Sequence, residues 1–208
     1  MRTPDWIPEV VIVRLPIYLR ALTHFEAQKI EVASSQELGD RLHLTAAQIR
    51  KDLSYFGRFG KQGRGYNVKR LLLELRRILG LEQEWPMALV GVGRLGRAIM
   101  GYAGFAPQGF RIVAAFDIDP SQMGKKVGNL VVQDMGQLPH IIRQHGIQIG
   151  IVAVPPSHAQ AAIDTLVKSG VRSILNYAPL SARVPDGVKI RDIDPVLSLQ
   201  SMTYYLKG

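Results

Sequence analysis

The stretch Ala88-Leu-Val-Gly-Val-Gly-Arg-Leu-Gly-Arg-Ala-Ile-Met100 decides how the rest of the chain is read. An apolar run from Met87 to Val90 meets three glycines, Gly91, Gly93 and Gly96, and then a helical pattern that starts at Arg94. Between a strand and a helix, that spacing lets the backbone turn tightly beneath a pyrophosphate. The next apolar run, RIVAAFD, ends in Asp117, 21 residues after Gly96, where a carboxylate accepts hydrogen bonds from an adenosine ribose. In Asp117-Ile118-Asp119-Pro120 no arginine follows directly, so nothing neutralises a ribose phosphate, and NAD is expected rather than NADP.

Downstream of this motif, short apolar strands alternate with helices. MALVG, RIVAAFD, a small strand near Val131, IGIVAVPP and SILNYAP read as strands, with helices from Arg94, around Ile141, from Ser157 and near the end of the chain. Such alternation predicts a parallel sheet with right-handed crossovers, an α/β Rossmann domain. Ligands of these sheets bind outside the carboxyl ends of the strands, which adds Val154-Pro155 and Asn176-Tyr177-Ala178 to the expected cleft. Both segments supply flat or small apolar surfaces suited to a nicotinamide ring.

Upstream the pattern is helical. Ile12, Leu15, Leu19, Leu22 and Phe25 recur at three- and four-residue steps, with Pro16 predicting a kink or a fresh start. Ser34-Ser35-Gln36-Glu37 is a capping box for a short helix, and Thr45 caps a second helix after a four-residue break. Two short helices joined by a tight turn form a helix-turn-helix. With Ile49, Leu53 and Phe56 turned to the core, Gln48, Arg50, Lys51, Ser54 and Tyr55 are expected to project outward toward base edges and phosphates. The glycine-rich, basic and aromatic run from Gly57 to Tyr66, with Arg58, Lys61 and Arg64, reads as a hairpin wing. A winged helix-turn-helix domain that is otherwise all-α is therefore expected over residues 1–80. A linker over 81–86, the Rossmann domain over 87–193 and a terminal helical segment over 194–208 follow.

The 208 residues carry a formal charge of +9, and the segment from Arg41 to Arg77 holds ten basic residues against two acidic ones, nearly the whole excess. That concentration points to a polyanion, with a solvated basic face as the bland alternative. No cysteine is present, so thiolate metal sites and thiol-based redox sensing are excluded, and the histidines are not spaced as metal ligands. No apolar run approaches the roughly 18 residues of a membrane span, and the first residues lack a signal-peptide pattern, which predicts a cytoplasmic protein without membrane contact. Catalysis is not expected. Tyr102, Tyr177, His158 and Lys168 stand singly as acid or base groups, and no substrate domain encloses them. A small NAD-dependent dehydrogenase and a coenzyme A binding module are the alternatives.

Taken together, IRKDLSYFGRFGKQGRGYNV (residues 49–68), GVGRLGRAI, AAFDIDP, VAVPP and ILNYAP, in that order, resemble the Rex family of redox-sensing transcriptional repressors. The resemblance spans nearly the whole chain and is most specific where the second helix joins the wing. It implies a cytoplasmic homodimer that binds palindromic double-stranded DNA through its winged helices and NADH, with NAD+ bound more weakly, through its Rossmann domains. It also implies that the last helix, Pro195 to Leu206, is exchanged between subunits. By position, the resemblance implies that Gly91, Val92, Gly93, Arg94, Leu95 and Gly96 serve the pyrophosphate and Asp117 the ribose. Val154, Pro155, Asn176, Tyr177 and Ala178 would lie near the nicotinamide. DNA contacts would fall on Thr45, Gln48, Arg50, Lys51, Ser54, Tyr55, Arg58, Lys61, Arg64 and Tyr66.

Overall fold

The computed structural model describes residues 6–61 and 64–206, apart from the side chain of Lys61. The chain divides into two units, residues 1–83 and 84–208. In the first unit, helices α1 (Glu9–Ala27), α2 (Ser35–Leu42), α3 (Ala46–Ser54) and α4 (Val68–Ile78) surround a three-stranded sheet. Its strands are β1 (Val32–Ala33), β2 (Gly60–Lys61) and β3 (Gly65–Asn67), in the antiparallel order β1-β3-β2. The unit is thus not all-α, because the wing hairpin is extended by a strand that precedes α2.

Helix α1 runs unbroken through Pro16, so no fresh helix starts there. Proline removes one backbone donor, but its ring here is on the exposed face, while Leu15, Tyr18, Leu19 and Leu22 bury the opposite side and hold the helix together. Those side chains share a core with Leu38 of α2, Ile49 and Leu53 of α3, and Leu71, Leu72 and Leu75 of α4. Ser34 and Glu37 form the expected capping box, the Glu37 backbone N–H donating to Ser34 Oγ at 3.1 Å and the Ser34 N–H to Glu37 Oε2 at 2.7 Å. Hydrogen bonds from the Ser34 backbone N–H and side chain hold the Glu37 carboxyl below its usual range.

The second unit is a seven-stranded sheet of order β10-β9-β8-β4-β5-β7-β6. Its strands are β4 (Trp85–Val90), β5 (Phe110–Asp117), β6 (Lys126–Val127), β7 (Leu130–Asp134), β8 (Ile149–Val152), β9 (Ser173–Asn176) and β10 (Lys189–Asp192). All neighbours are parallel except β6 and β7. Helices α6 (Leu138–Gln144) and α7 (Pro156–Lys168) bury Ala88 and Val90 of β4 on one face. Their neighbours Met87 and Leu89 point to the other face, where α5 (Arg94–Met100) contributes Ile99. This two-residue alternation places helices on both faces of the sheet. From β4 the chain winds outward through β5 and β7 on one side and through β8, β9 and β10 on the other. The crevice at that switch point is where such sheets bind ligands.

Leu81 packs on the core of the first unit, and Trp85 and Pro86 already belong to β4, so the segment expected as a linker is divided between the two units. Helix α8 (Pro195–Thr203) continues in a 3-10 turn to Leu206 and carries no buried residue.

Candidate functional site

The three glycines of the opening stretch are required for three different reasons. Gly91, just past β4, has φ +95°, and a Cβ there would collide with the carbonyl oxygen of Ala153. Gly96 sits inside α5, where a Cβ would strike the carbonyl oxygen of Gly91. At Gly93, the N-cap of α5, a Cβ would meet nothing within 4 Å. The first glycine therefore makes the turn and the third seats the helix against the strand. The second leaves bare backbone open to a ligand, which is the division of labour a pyrophosphate turn needs.

Asp117 holds this turn in place as well as facing the cleft. Its Oδ2 accepts the Val92 backbone N–H at 2.7 Å and its Oδ1 accepts that of Asp119 at 3.0 Å. Val92 itself is fully buried, so it acts through its backbone, while Arg94 and Leu95 are exposed on the first turn of α5. Arg97 was not among the expected residues. Its guanidinium donates to the Val92 carbonyl at 3.1 Å and to Gln122 Oε1 at 2.6 Å, tying the glycine turn to the loop after β5. An arginine one step past a GxGxxG motif gives no advance sign of a backbone partner.

A cleft of about 330 Å3 gathers Gly91, Gly93, Asp117, Val154 and Pro155. Its wall also includes Ile118, Met135 and one face of α7, with His158, Ala161, Ala162 and Thr165. Small and apolar helix residues of this kind carry no sequence signature for a ligand. Asn176, Tyr177 and Ala178, at the end of β9, do not line this cleft. Asn176 is completely buried, its amide donating to the carbonyls of Ala178 (3.0 Å) and Leu180 (3.2 Å) and to Asp192 Oδ1 (2.8 Å). Its Oδ1 accepts the Ala178 N–H. All its polar atoms are thus spent on pinning the chain after β9 to β10. Ala178 is buried in the core beneath α7, and Tyr177 packs on the opposite face of the sheet, toward the Met87 and Leu89 cluster.

In the first unit, α3 buries Ile49, Asp52 and Leu53 and exposes Arg50, Lys51 and Ser54. Thr45 caps it, accepting the Gln48 N–H at 3.1 Å. Arg50, Lys51 and Ser54 are exposed, as expected, and so are Arg58 and Arg64 of the wing. Arg50 donates to Ser35 Oγ at 2.9 Å and Ser54 Oγ to the Lys51 carbonyl at 2.7 Å. Tyr55 is half-buried, its ring 5.8 Å from that of Trp6. The Lys61 side chain lies outside the described residues. Tyr66 is 8% exposed and packs in the core, because β3 is the middle strand of the small sheet, paired with β1 and β2, yet it also lines the hollow between α3 and the wing. Arg50, Ser54 and Arg58, with Ser34 and Ser35, rim a hollow of about 650 Å3 between α3 and the wing.

Beneath this face lies Asp52, completely buried on α3. Arg14 clasps it with two bonds, Nε to Oδ2 at 2.5 Å and Nη2 to Oδ1 at 2.8 Å, Tyr18 Oη donates to Oδ2 at 2.5 Å, and Gln48 Nε2 to Oδ1 at 2.7 Å. Burial pushes the Asp52 carboxyl up, but the bonds from Arg14, Tyr18 and Gln48 outweigh it and hold the group below its usual range. Burial, reinforced by the bond to Asp52, pushes the Tyr18 phenol up. Nothing near Asp52 in the sequence announces this cluster, since its partners on α1, Tyr18 and Arg14, lie 34 and 38 residues away.

Comparison with known proteins places both units. Residues 6–54 match the family described as "Putative DNA-binding protein N-terminus" and residues 82–180 the family described as "CoA binding domain". The chain is 53% identical over 206 residues to the Redox-sensing transcriptional repressor Rex of Chloroflexus aurantiacus, covering 99% of this chain and 97% of that one. To the same-named protein of Roseiflexus sp. it is 56% identical over 199 residues, 96% of this chain and 90% of the relative. Among solved structures, it superposes with TM-score 0.91 and 37% identity on RSP in complex with β-NAD+ and operator DNA, covering 98% and 94% of the two chains. For RSP in complex with β-NADH the TM-score is 0.86 at 35% identity, with 98% and 95% covered.

Proposed function

The chain belongs to the Rex family of redox-sensing transcriptional repressors, and we propose that it grips a palindromic operator as a homodimer and lets go when NADH fills the cleft at Gly91 to Gly96. It is a DNA-binding regulator and not an enzyme. The observation that carries the nucleotide assignment is the open backbone at Gly93 beside Asp117, in a cleft otherwise walled mostly by apolar side chains. On this reading Gly91, Val92, Gly93, Arg94, Leu95 and Gly96 surround the pyrophosphate and Asp117 takes the ribose. Val154 and Pro155 face the nicotinamide ring, with Asn176, Tyr177 and Ala178 near it.

NADH is preferred over NAD+ because the two differ in the charge of the ring. Burying a cationic pyridinium against Val154 and Pro155 carries a desolvation cost that the neutral dihydropyridine avoids. DNA is held by Thr45, Gln48, Arg50, Lys51, Ser54 and Tyr55 of α3 and its cap, and by Arg58, Lys61 and Arg64 of the wing. Tyr66 supports the wing from the core. The α8 helix, with Val196, Leu197, Leu199 and Met202 exposed, packs in the dimer against the partner subunit. No described helix is long and apolar enough to cross a membrane, and the protein is proposed to act in the cytoplasm.

Turning a mostly bound protein into a mostly free one takes about 5 kcal/mol of differential binding, which two sites per dimer can share. Coupling of this kind is reciprocal, so operator DNA weakens NADH binding by the factor by which NADH weakens operator binding. A fluorescence titration of NADH, with and without saturating operator, measures that factor. Identical curves in a protein that binds the operator would leave a DNA-binding nucleotide protein without a switch. Competition by coenzyme A in the same titration would favour the coenzyme A module instead.

A further inference from the structure

We infer that Gln48 reads the operator as a hydrogen-bond acceptor, through its carbonyl Oε1, and that Asp52 is the positioning residue that sets this polarity. The inference rests on the repressor reading above and specifies the base chemistry that α3 selects. An ionised carboxylate only accepts hydrogen bonds and has about four lone-pair positions. At Asp52 four donors fill them, Arg14 Nη2 and Gln48 Nε2 on Oδ1, Arg14 Nε and Tyr18 Oη on Oδ2. Nothing is left with which Asp52 could itself contact DNA. Gln48 can face it only with its NH2 group, because a turned amide would set Oε1 against Oδ1, acceptor against acceptor.

The orientation of the Gln48 amide, usually ambiguous, is therefore dictated by its neighbour. Among the described residues, no buried side-chain polar atom lacks a hydrogen-bond partner. Oε1 of half-buried Gln48 has no protein donor among them, so it must reach solvent. Arg50 and Lys51, exposed elsewhere on α3, can only donate. They suit phosphates and the O6 and N7 acceptors of guanine. Gln48 alone among these three offers an acceptor, and in the major groove its match is an exocyclic amine, N6 of adenine or N4 of cytosine. A glutamine free to turn would instead be indifferent between donating and accepting.

The test uses the full chain and a duplex recovered by wild-type protein from a random-sequence library. Selection repeated with Gln48→Ala locates the symmetry-related base pair whose preference is lost. At that pair one duplex replaces adenine by purine, or cytosine by 2-pyrimidinone, deleting only the amine. Another replaces the purine by its 7-deaza analogue, deleting only the N7 acceptor. Loss of the amine should weaken wild-type binding about fivefold, the value of one neutral hydrogen bond, and leave Gln48→Ala unaffected. Loss of N7 should change neither. Sensitivity to N7 in place of the amine, or Gln48→Ala weakening all duplexes alike, would overturn the inference while leaving the repressor intact. Failure of wild type to enrich any sequence would overturn the repressor reading itself.

Asp52→Asn tests the positioning role, since its amide can both accept and donate and so frees Gln48 to turn. That variant should lose amine discrimination with its affinity for non-operator duplexes unchanged. A purely structural Asp52 would instead lower binding to every duplex together. Should Asp52→Asn not fold, the analogue duplexes on wild type and Gln48→Ala decide the polarity without it.

Discussion

Each unit is organised around one aspartate, and the two are used in opposite ways. Asp52 is completely buried and saturated by four side-chain donors from α1 and α3. Asp117 is half-buried, accepts two backbone N–H groups, and keeps acceptor capacity on the wall of the cleft. The first is pure frame: its bonds tie α3 to α1. The second is frame and contact at once, bracing the glycine turn while facing what the turn would hold. A saturated carboxylate thus marks the part of a site that must not move, and an unsaturated one marks where a ligand can add its own donors.

The largest effect expected from breaking this contrast is at Asp52. Asp52→Ala leaves the Arg14 guanidinium without its counter-charge and should destabilise the protein by about 3 to 5 kcal/mol, as removal of one partner of a buried pair does. Chemical denaturation measures it. The same carboxyl is held below its ordinary range, so it binds fewer protons folded than unfolded. Its stabilisation is complete above about pH 4, the ordinary carboxylate value, and fades as the pH falls through the lower folded value. Acid titration of the variant should accordingly show a shallower loss of stability than wild type. An equally steep loss would mean that Asp52 is not the group protonated.

Next in size are the glycines, which separate frame from contact within one motif. Gly96→Ala forces a methyl into the Gly91 carbonyl and should cost about 1 to 3 kcal/mol of stability together with NADH affinity. Gly93→Ala has room within the protein, so its stability should stay within about 0.5 kcal/mol while NADH binding falls. If both variants lose stability equally, Gly93 is a structural glycine and the cleft assignment weakens.

Much of this was readable before the structure. The glycine spacing, the helix caps and the alternation of strands carried the fold, because each depends on neighbours within a few residues. What escaped depends on distant partners. The edge strand β10 has a sequence, Lys189 to Asp192, with little apolar character, and it pairs only because β9 offers an open edge. Asn176 looks like a ligand residue beside Tyr177 until its amide is seen bound within the loop. Tyr66 looks like a wing aromatic, yet the extra strand β1 makes β3 central and buries it. Hydrophobic runs reveal which segments form strands, and say less about which of those strands ends up inside.

A smaller effect is expected at Asp117. In Asp117→Asn one of the two backbone N–H groups faces an amide NH2 instead of an acceptor, a loss of about 1 kcal/mol. Removing the charge should also narrow the preference for NADH over NADPH, because a ribose phosphate is no longer repelled. Calorimetry with both nucleotides tests this. A preference unchanged in the variant would move the ribose away from Asp117.

The smallest change in stability, and the sharpest test of which α3 residues touch the phosphate backbone, is expected at Lys51. It is exposed, and its ammonium is a point charge suited to a phosphate. Truncation to alanine should leave thermal stability and NADH affinity as they are. Each phosphate neutralised by a protein cation releases condensed counterions, so losing one contact per recognition helix flattens the slope of log affinity against log salt by about one unit for that site. Gln48→Ala removes a neutral group and should leave the slope alone while changing sequence preference. The two variants therefore divide the outer face of α3 into a part that senses charge and a part that senses bases. Equal slopes for Lys51→Ala and wild type would show that Lys51 makes no phosphate contact and would shift the backbone grip to Arg50, Arg58 and Arg64.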